Sequence, residues 1–170
     1  GDPLDAASDL GALVSRAHLD KVMGHIALAR EEGGAILCGG NAVHPQGRCA
    51  GGWFVAPTVI EGLGADCRTN QEEIFGPVAT LIPFDGEDAA VALANATNYG
   101  LAASVWTTNL ARAHRVAARL ESGIVWINCW LKRDLRTPFG GVKHSGLGRE
   151  GGVDALRFFT EPKNICINLE

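Results

Sequence analysis

Three short stretches carry residue types that could do chemistry. Glu72, Glu73, Ile74, Phe75, Gly76 and Pro77 set two carboxylates beside an aromatic ring. A carboxylate accepts two hydrogen bonds from a vicinal diol, and an aromatic packs on a flat ring, so the stretch can serve a nucleotide ribose. A charged surface turn with Phe75 tucked into the core is the plainer alternative. The second stretch, Asn128 to Gly141, holds Lys132, Arg133 and Arg136. An arginine facing a pocket would grip a carboxylate through two parallel hydrogen bonds and orient an acid-bearing substrate, whereas a basic loop is otherwise simply solvated. The third, Gly146, Gly148 and Gly151, has the spacing of a dinucleotide fingerprint. That fingerprint needs a hydrophobic strand directly before it, and the preceding Phe139 to Ser145 is a glycine-containing loop. A loop leading into a helix is therefore expected there.

Composition narrows the classes of function. The 170 residues are 46% hydrophobic, enough for a core of one domain's size. Fifteen basic and 19 acidic residues give a net charge of -4, with neither sign in a block. Nucleic-acid binding, which needs clustered cations to neutralise phosphates, is disfavoured. The sequence has no apolar run of the roughly 18 residues that would span a bilayer, and a cytoplasmic protein is expected. Five cysteines at irregular spacing, without Cys-x-x-Cys, read as reduced thiols and not as a metal site. The opening from Gly1 to Asp5 has the character of a loop between elements, so a preceding segment is expected.

The elements that must position these stretches follow from periodicity. Ser15 caps a helix whose apolar residues Leu19, Val22, Met23 and Ile26 fall on one face, and Gly33 and Gly34 end it. A strand over 35–38, a loop over 39–52 and an edge strand interrupted by Pro57 come next. Gln71 to Phe75 suits a short helical turn. Val78 to Phe84, Ala102 to Trp106 and Ile124 to Asn128 read as strands, separated by helices over 87–96 and from the Asn109 cap to Leu120. Strands separated by helices of ten or more residues imply crossover connections, hence an α/β layer with a largely parallel sheet. After a short helix over 153–159, Lys163 to Leu169 alternates Ile165 and Ile167 with Asn164, Cys166 and Asn168. Such a half-apolar terminal strand must find a sheet edge, in this chain or in another subunit.

The combination of motifs resembles the aldehyde dehydrogenase superfamily. Glu-Glu-Ile-Phe-Gly-Pro at 72–77, Asn-Tyr-Gly-Leu-Ala-Ala at 98–103 and Pro-Phe-Gly-Gly at 138–141 occur in that family's order. Lys143, Ser145, Gly146, Gly148, Arg149 and Glu150 continue the match, and Phe159 to Lys163 close it. The resemblance implies that Glu73 holds the hydroxyls of the nicotinamide ribose of NAD, that Phe75 packs beside it, and that Phe139 lines the aldehyde pocket next to that cofactor. It also implies an Arg149 to Glu161 bridge. Three pieces would follow: the later part of the catalytic domain to residue 143, a helix returning toward the cofactor domain over 144–159, and a strand over 160–170 that builds a homo-oligomer.

Within the superfamily, Asn128, Cys129, Trp130, Leu131, Arg133, Asp134 and Leu135 are similar to the dehydrogenases of 2-aminomuconic and 2-hydroxymuconic semialdehyde. Those substrates, products of aromatic-ring cleavage, bear a carboxylate. The resemblance assigns its recognition to Arg133, with Arg136 the nearby alternative. In this family a cysteine thiolate attacks the aldehyde, hydride passes to NAD, and a glutamate-activated water releases the acid. None of the five cysteines stands in the nucleophile's motif, so that cysteine is expected before residue 1 and this stretch alone is expected to be inactive. Cys129 is near the proposed pocket but lacks an evident activating base. A dehydrogenase of a neutral aldehyde such as betaine or retinal aldehyde, and a non-catalytic assembly module, are the competing readings.

Overall fold

The computed structural model describes residues 1–169 and divides into two compact units, Gly1–Phe84 and a second from Asp85 onward. In the first unit, helix α1 (Arg16–Glu31) begins as expected, with the Ser15 hydroxyl accepting from the His18 amide at 3.1 Å. It ends where the amides of Gly33 and Gly34 turn back to the carbonyls of Arg30 and Ala29. Leu19, Val22, Ile26 and Ala29, spaced three or four residues apart, are its buried stripe.

That stripe packs against short strands: β1 (Ala35–Cys38), β2 (Ala42–Val43), β3 (Phe54–Val55), β4 (Thr58–Glu61) and β5 (Val78–Leu81). Leu19, Val22 and Ile26 cluster with Val55, while Ala29 joins Ile60 and Leu63. Burial of each large aliphatic side chain stabilises the unit by about 1.5–3 kcal/mol. The sheet order is β1-β4-β5, with β4 antiparallel to β1 and parallel to β5, and β2 pairs with β3 alone. Thr58 is buried at this junction but satisfied: its hydroxyl accepts from the Gly40 amide at 2.9 Å and donates to the Ala56 carbonyl at 2.8 Å.

Between β4 and β5 the expected helical turn lies earlier in the chain than its sequence signal. Helix α2 is Arg68–Gln71, and Glu72 is already extended. The cause is a long-range cap. The Glu32 carboxylate, just past the end of α1, accepts from the amides of Arg68 and Thr69 at 2.8 and 3.2 Å and from the Thr69 hydroxyl at 2.6 Å. The same bonds, the Thr69 hydroxyl's first among them, hold the Glu32 carboxyl below its ordinary range.

The second unit contains α3 (Gly86–Asn95), β6 (Tyr99–Gly100), β7 (Ala102–Val105), α4 (Leu110–Arg119), β8 (Ile124–Ile127), β9 (Val142–Lys143) and α5 (Gly152–Phe159). β7 and β8 pair in parallel from Ala102–Ile124 to Val105–Ile127, with α4 as their crossover. The Asn109 side chain caps α4 by accepting from the Arg112 amide at 2.9 Å. Val91, Ala113, Val116 and Trp126 are buried. β6 and β9 form a separate antiparallel pair.

The α/β class is thus present, but among the described residues the strands form separate small sheets rather than the expected largely parallel one. Parallel pairing occurs at β4–β5 and β7–β8, where a crossover is available, and the remaining pairs are antiparallel. The expected strand over Lys163–Leu169 is a further difference. Residues 160–169 hold no helix or strand and are exposed, with Ile165 and Ile167 at 70% and 72%. A strand is defined by its hydrogen-bonded neighbour, and no strand among the described residues pairs with this segment. No helix among the described residues is long and apolar enough to cross a membrane.

Candidate functional site

The turn from Glu72 to Pro77 rests on one face of α1, where His18, Lys21, Val22 and His25 fall at i, i+3, i+4 and i+7. Gly76 lets it approach closely, since a Cβ there would come within 2.6 Å of the Val22 side chain. The two adjacent glutamates do different things. Glu72 takes a two-pronged ion pair from Arg68, at 2.7 and 3.2 Å, with the His25 imidazole 3.8 Å away. Arg68 accordingly holds the Glu72 carboxyl below its ordinary range. Glu73 is fixed through its backbone, whose carbonyl accepts from the Lys21 ammonium at 2.6 Å. Its exposed carboxylate has no hydrogen bond or ion pair among the described residues. Both acceptor oxygens therefore face outward from an anchored backbone.

Phe75 follows in a left-handed backbone conformation, φ 55°, with its carbonyl 2.5 Å from His18 Nε2. Its ring meets the His18 imidazole edge-on at 6.0 Å and is otherwise 74% exposed. A core role for Phe75 is excluded. The ring instead borders an open apolar groove of about 450 Å³ with Leu10, Leu13, Val55 and Pro77. An unpaired carboxylate two residues from an exposed aromatic beside an apolar groove suits a sugar diol carrying a flat heterocycle.

In the second unit the loop from Asn128 to Gly141 is pinned near its start, where the buried Trp126 indole donates to the Lys132 carbonyl at 2.8 Å. The two arginines then separate in role. Arg136 turns back onto Asp134, two residues away, with its closest N–H···O contact at 2.6 Å, and holds that carboxyl below its ordinary range. Arg133 reaches across 17 positions to Glu150, to which Nη2 donates. Its guanidinium carbon also lies 4.0 Å from the centre of the Phe139 ring. Phe139 and Glu150 are joined by two backbone hydrogen bonds, each 2.8 Å. Arg133 and Phe139, assigned separately from the sequence, are in direct contact. Glu150 was quoted there only as part of a motif. Its pairing with Phe139 links residues on either side of a glycine-rich loop, which no local pattern reports.

The fingerprint-like glycines have a packing explanation. Gly148 has φ 71°, and a Cβ there would come within 2.3 Å of the Phe158 ring. Gly151 is the residue before α5, which is consistent with a loop leading into a helix. Arg149 does not pair with Glu161 among the described residues. It donates instead to the carbonyls of Gly141 and Gly148, at 2.9 and 2.6 Å, closing the same loop. All five cysteines are free thiols. Burial raises the Cys67 pKa, which disfavours its thiolate. Among the described residues no group of three or more His, Cys, Asp or Glu could hold a metal.

The chain is similar to known proteins along almost all of its length. The chain is 49% identical over 170 residues to a 2-aminomuconic semialdehyde dehydrogenase of Danio rerio, covering 98% of this chain and 35% of that protein. It is 50% identical over 169 residues to a 2-hydroxymuconic semialdehyde dehydrogenase of Pseudomonas sp. strain CF600, covering 99% and 35%. The chain therefore spans about a third of the length of these curated relatives. Among solved structures, an indole-3-acetaldehyde dehydrogenase of P. syringae in complex with NAD+ superposes with a TM-score of 0.88 at 42% identity, over 95% of this chain and 32% of that one. The aldehyde dehydrogenase family pattern itself runs through residues 1–165, and on that match the chain belongs to the aldehyde dehydrogenase family.

Proposed function

We propose that the chain supplies the ribose contact and the acid-recognising wall of an NAD-dependent aldehyde dehydrogenase, whose substrate is a carboxylate-bearing semialdehyde of the 2-amino- or 2-hydroxymuconic type. Bound NAD supplies the hydride acceptor. Glu73 accepts the two ribose hydroxyls, and Phe75 covers the adjoining ring. Phe139 forms part of the aldehyde pocket, and Arg133 orients the far acid group of the substrate, so that the reacting carbon is held at a set distance from the anchor. Full activity also needs a nucleophilic cysteine outside these residues.

The observation that carries the substrate reading is the place of Arg133. Its guanidinium lies on the ring of Phe139 and spends a single hydrogen bond on Glu150 among the described residues, whereas Arg136 is tied up by Asp134. The names of the similar semialdehyde dehydrogenases support it. We further read residues 1–143 as catalytic domain, 144–159 as the return toward the cofactor domain and 160–170 as a strand completed by another copy of the chain, in a cytoplasmic homo-oligomer.

The test is Arg133→Ala in the catalytically complete enzyme. A hydrogen-bonded charge pair is worth about 1.5–3 kcal/mol, so kcat/KM for the acid-bearing semialdehyde falls by about 10- to 100-fold. A neutral aldehyde of similar length changes by less than about threefold. Equal losses on the two substrates would remove Arg133 from acid recognition.

A further inference from the structure

The arginine proposed as substrate anchor already holds a carboxylate. Arg133 Nη2 donates to Glu150 Oε1, and the pair is partly solvated, with side-chain exposures of 40% and 59%. Glu150 is delivered to this position from a fixed point. Its amide and carbonyl both bond to Phe139 at 2.8 Å, and the Phe139 ring carries the guanidinium at 4.0 Å. Two nearby charges are committed elsewhere: Asp134 to Arg136, and Arg149 to the carbonyls of Gly141 and Gly148. Glu150 is thus the carboxylate that an incoming acid meets at Arg133.

We infer that Glu150 is a specificity-determining residue, an internal stand-in that occupies Arg133 until the substrate's own acid group displaces it. The inference rests on the reading of Arg133 as the acid anchor. Two consequences follow from charge alone. An acid-bearing aldehyde must break a pre-existing ion pair and pass a like charge, which raises its KM, while a neutral aldehyde meets a closed, neutral pair. A partly exposed pair with one hydrogen bond is weak enough to be exchanged, whereas an acid group that engages two N–H donors gains a stronger contact. The Phe139 ring stays beneath the guanidinium during the exchange, so the arginine keeps its orientation.

The experiment uses the complete enzyme with NAD and compares kinetics on the acid-bearing semialdehyde and on a neutral aldehyde of similar length. Glu150→Gln is expected to lower KM for the acid by about three- to tenfold and to raise the acid-to-neutral ratio of kcat/KM by a similar factor. The gain disappears when Arg133→Ala is added, because the two residues act through one contact. Adipate, a six-carbon dicarboxylate without an aldehyde, reports the same site independently of turnover, and its inhibition constant falls in Glu150→Gln. Should that variant fail to fold, Glu150→Asp, one methylene shorter, shifts both readouts in the same direction by a smaller factor. An unchanged or lower ratio, with Arg133→Ala still selective against the acid, overturns the role of Glu150 and leaves the anchor intact. Loss of both substrates alike in Arg133→Ala overturns the anchor, and Glu150's role with it.

Discussion

Glu72 and Glu73 are chemically identical neighbours with different fates. The fork of Arg68 engages both oxygens of Glu72, so any diol would have to compete with a guanidinium for it. Glu73 has its backbone held by Lys21 and its carboxylate open. Glu73→Gln is therefore expected to raise KM for NAD by about tenfold or more, the worth of a hydrogen bond to a charged acceptor, with little change in melting temperature. Glu72→Gln is expected to do the reverse, lowering the melting temperature while KM for NAD stays put. Nucleotide titration and thermal unfolding of both variants in the complete enzyme separate the cases. Similar cofactor losses in the two would detach the ribose from Glu73. The pairing of Glu72 with Arg68 is a local i,i+4 contact, whereas the exposure of Phe75 was not legible locally, because its seat on α1 involves His18, 57 positions away.

At the scale of elements, charge pairs join helices that are far apart in sequence. Glu87 near the start of α3 takes contacts from Arg115 and Arg112 of α4 at 2.7 and 3.0 Å, and Asp88 pairs with Arg119 at 2.8 Å. Donation from Arg115, then from Arg112, holds the Glu87 carboxyl below its ordinary value of 4.5. Glu72, Glu32 and Asp134 are lowered as well, by Arg68, Thr69 and Arg136 respectively. A carboxyl more acidic in the folded than in the unfolded state contributes stability that is complete above its unfolded pKa and disappears as pH falls through its folded pKa. The melting temperature should consequently drop as pH is lowered beneath about 4.5. Glu87→Gln should flatten that drop, as read by circular dichroism across an acid pH series. A Glu87→Gln curve parallel to that of the unchanged protein would show that the α3–α4 pairs contribute nothing measurable. The helices were readable from their period and from the caps Ser15 and Asn109. α2 was misplaced because its cap, Glu32, lies at the far end of another helix.

For the molecule as a whole, catalysis needs a thiolate with an adjacent base. Cys67 does hydrogen-bond to the Glu32 carboxylate, but burial first and that negative charge with it raise its pKa and disfavour the thiolate. The chain alone, purified and mixed with aldehyde and NAD, is expected to yield no NADH. Measurable NADH would require a nucleophile among Cys38, Cys49, Cys67, Cys129 and Cys166, and replacing each in turn would find it. Most of the helices and strands up to Phe159 and the family were readable from residues, spacing and short motifs, because these are properties of neighbouring residues. Glu73, Phe75, Arg133 and Phe139 were assigned through the family resemblance that those motifs carry. The tertiary structure decided what depends on residues far apart in sequence. Among the described residues it replaced the expected sheet with four small ones, since strand pairing requires a partner edge brought up by the rest of the chain. It left 160–169 without such an edge among the described residues. And it brought Glu150 to Arg133 across 17 positions, an encounter set by the return of the chain along Phe139 and not by either residue's neighbours.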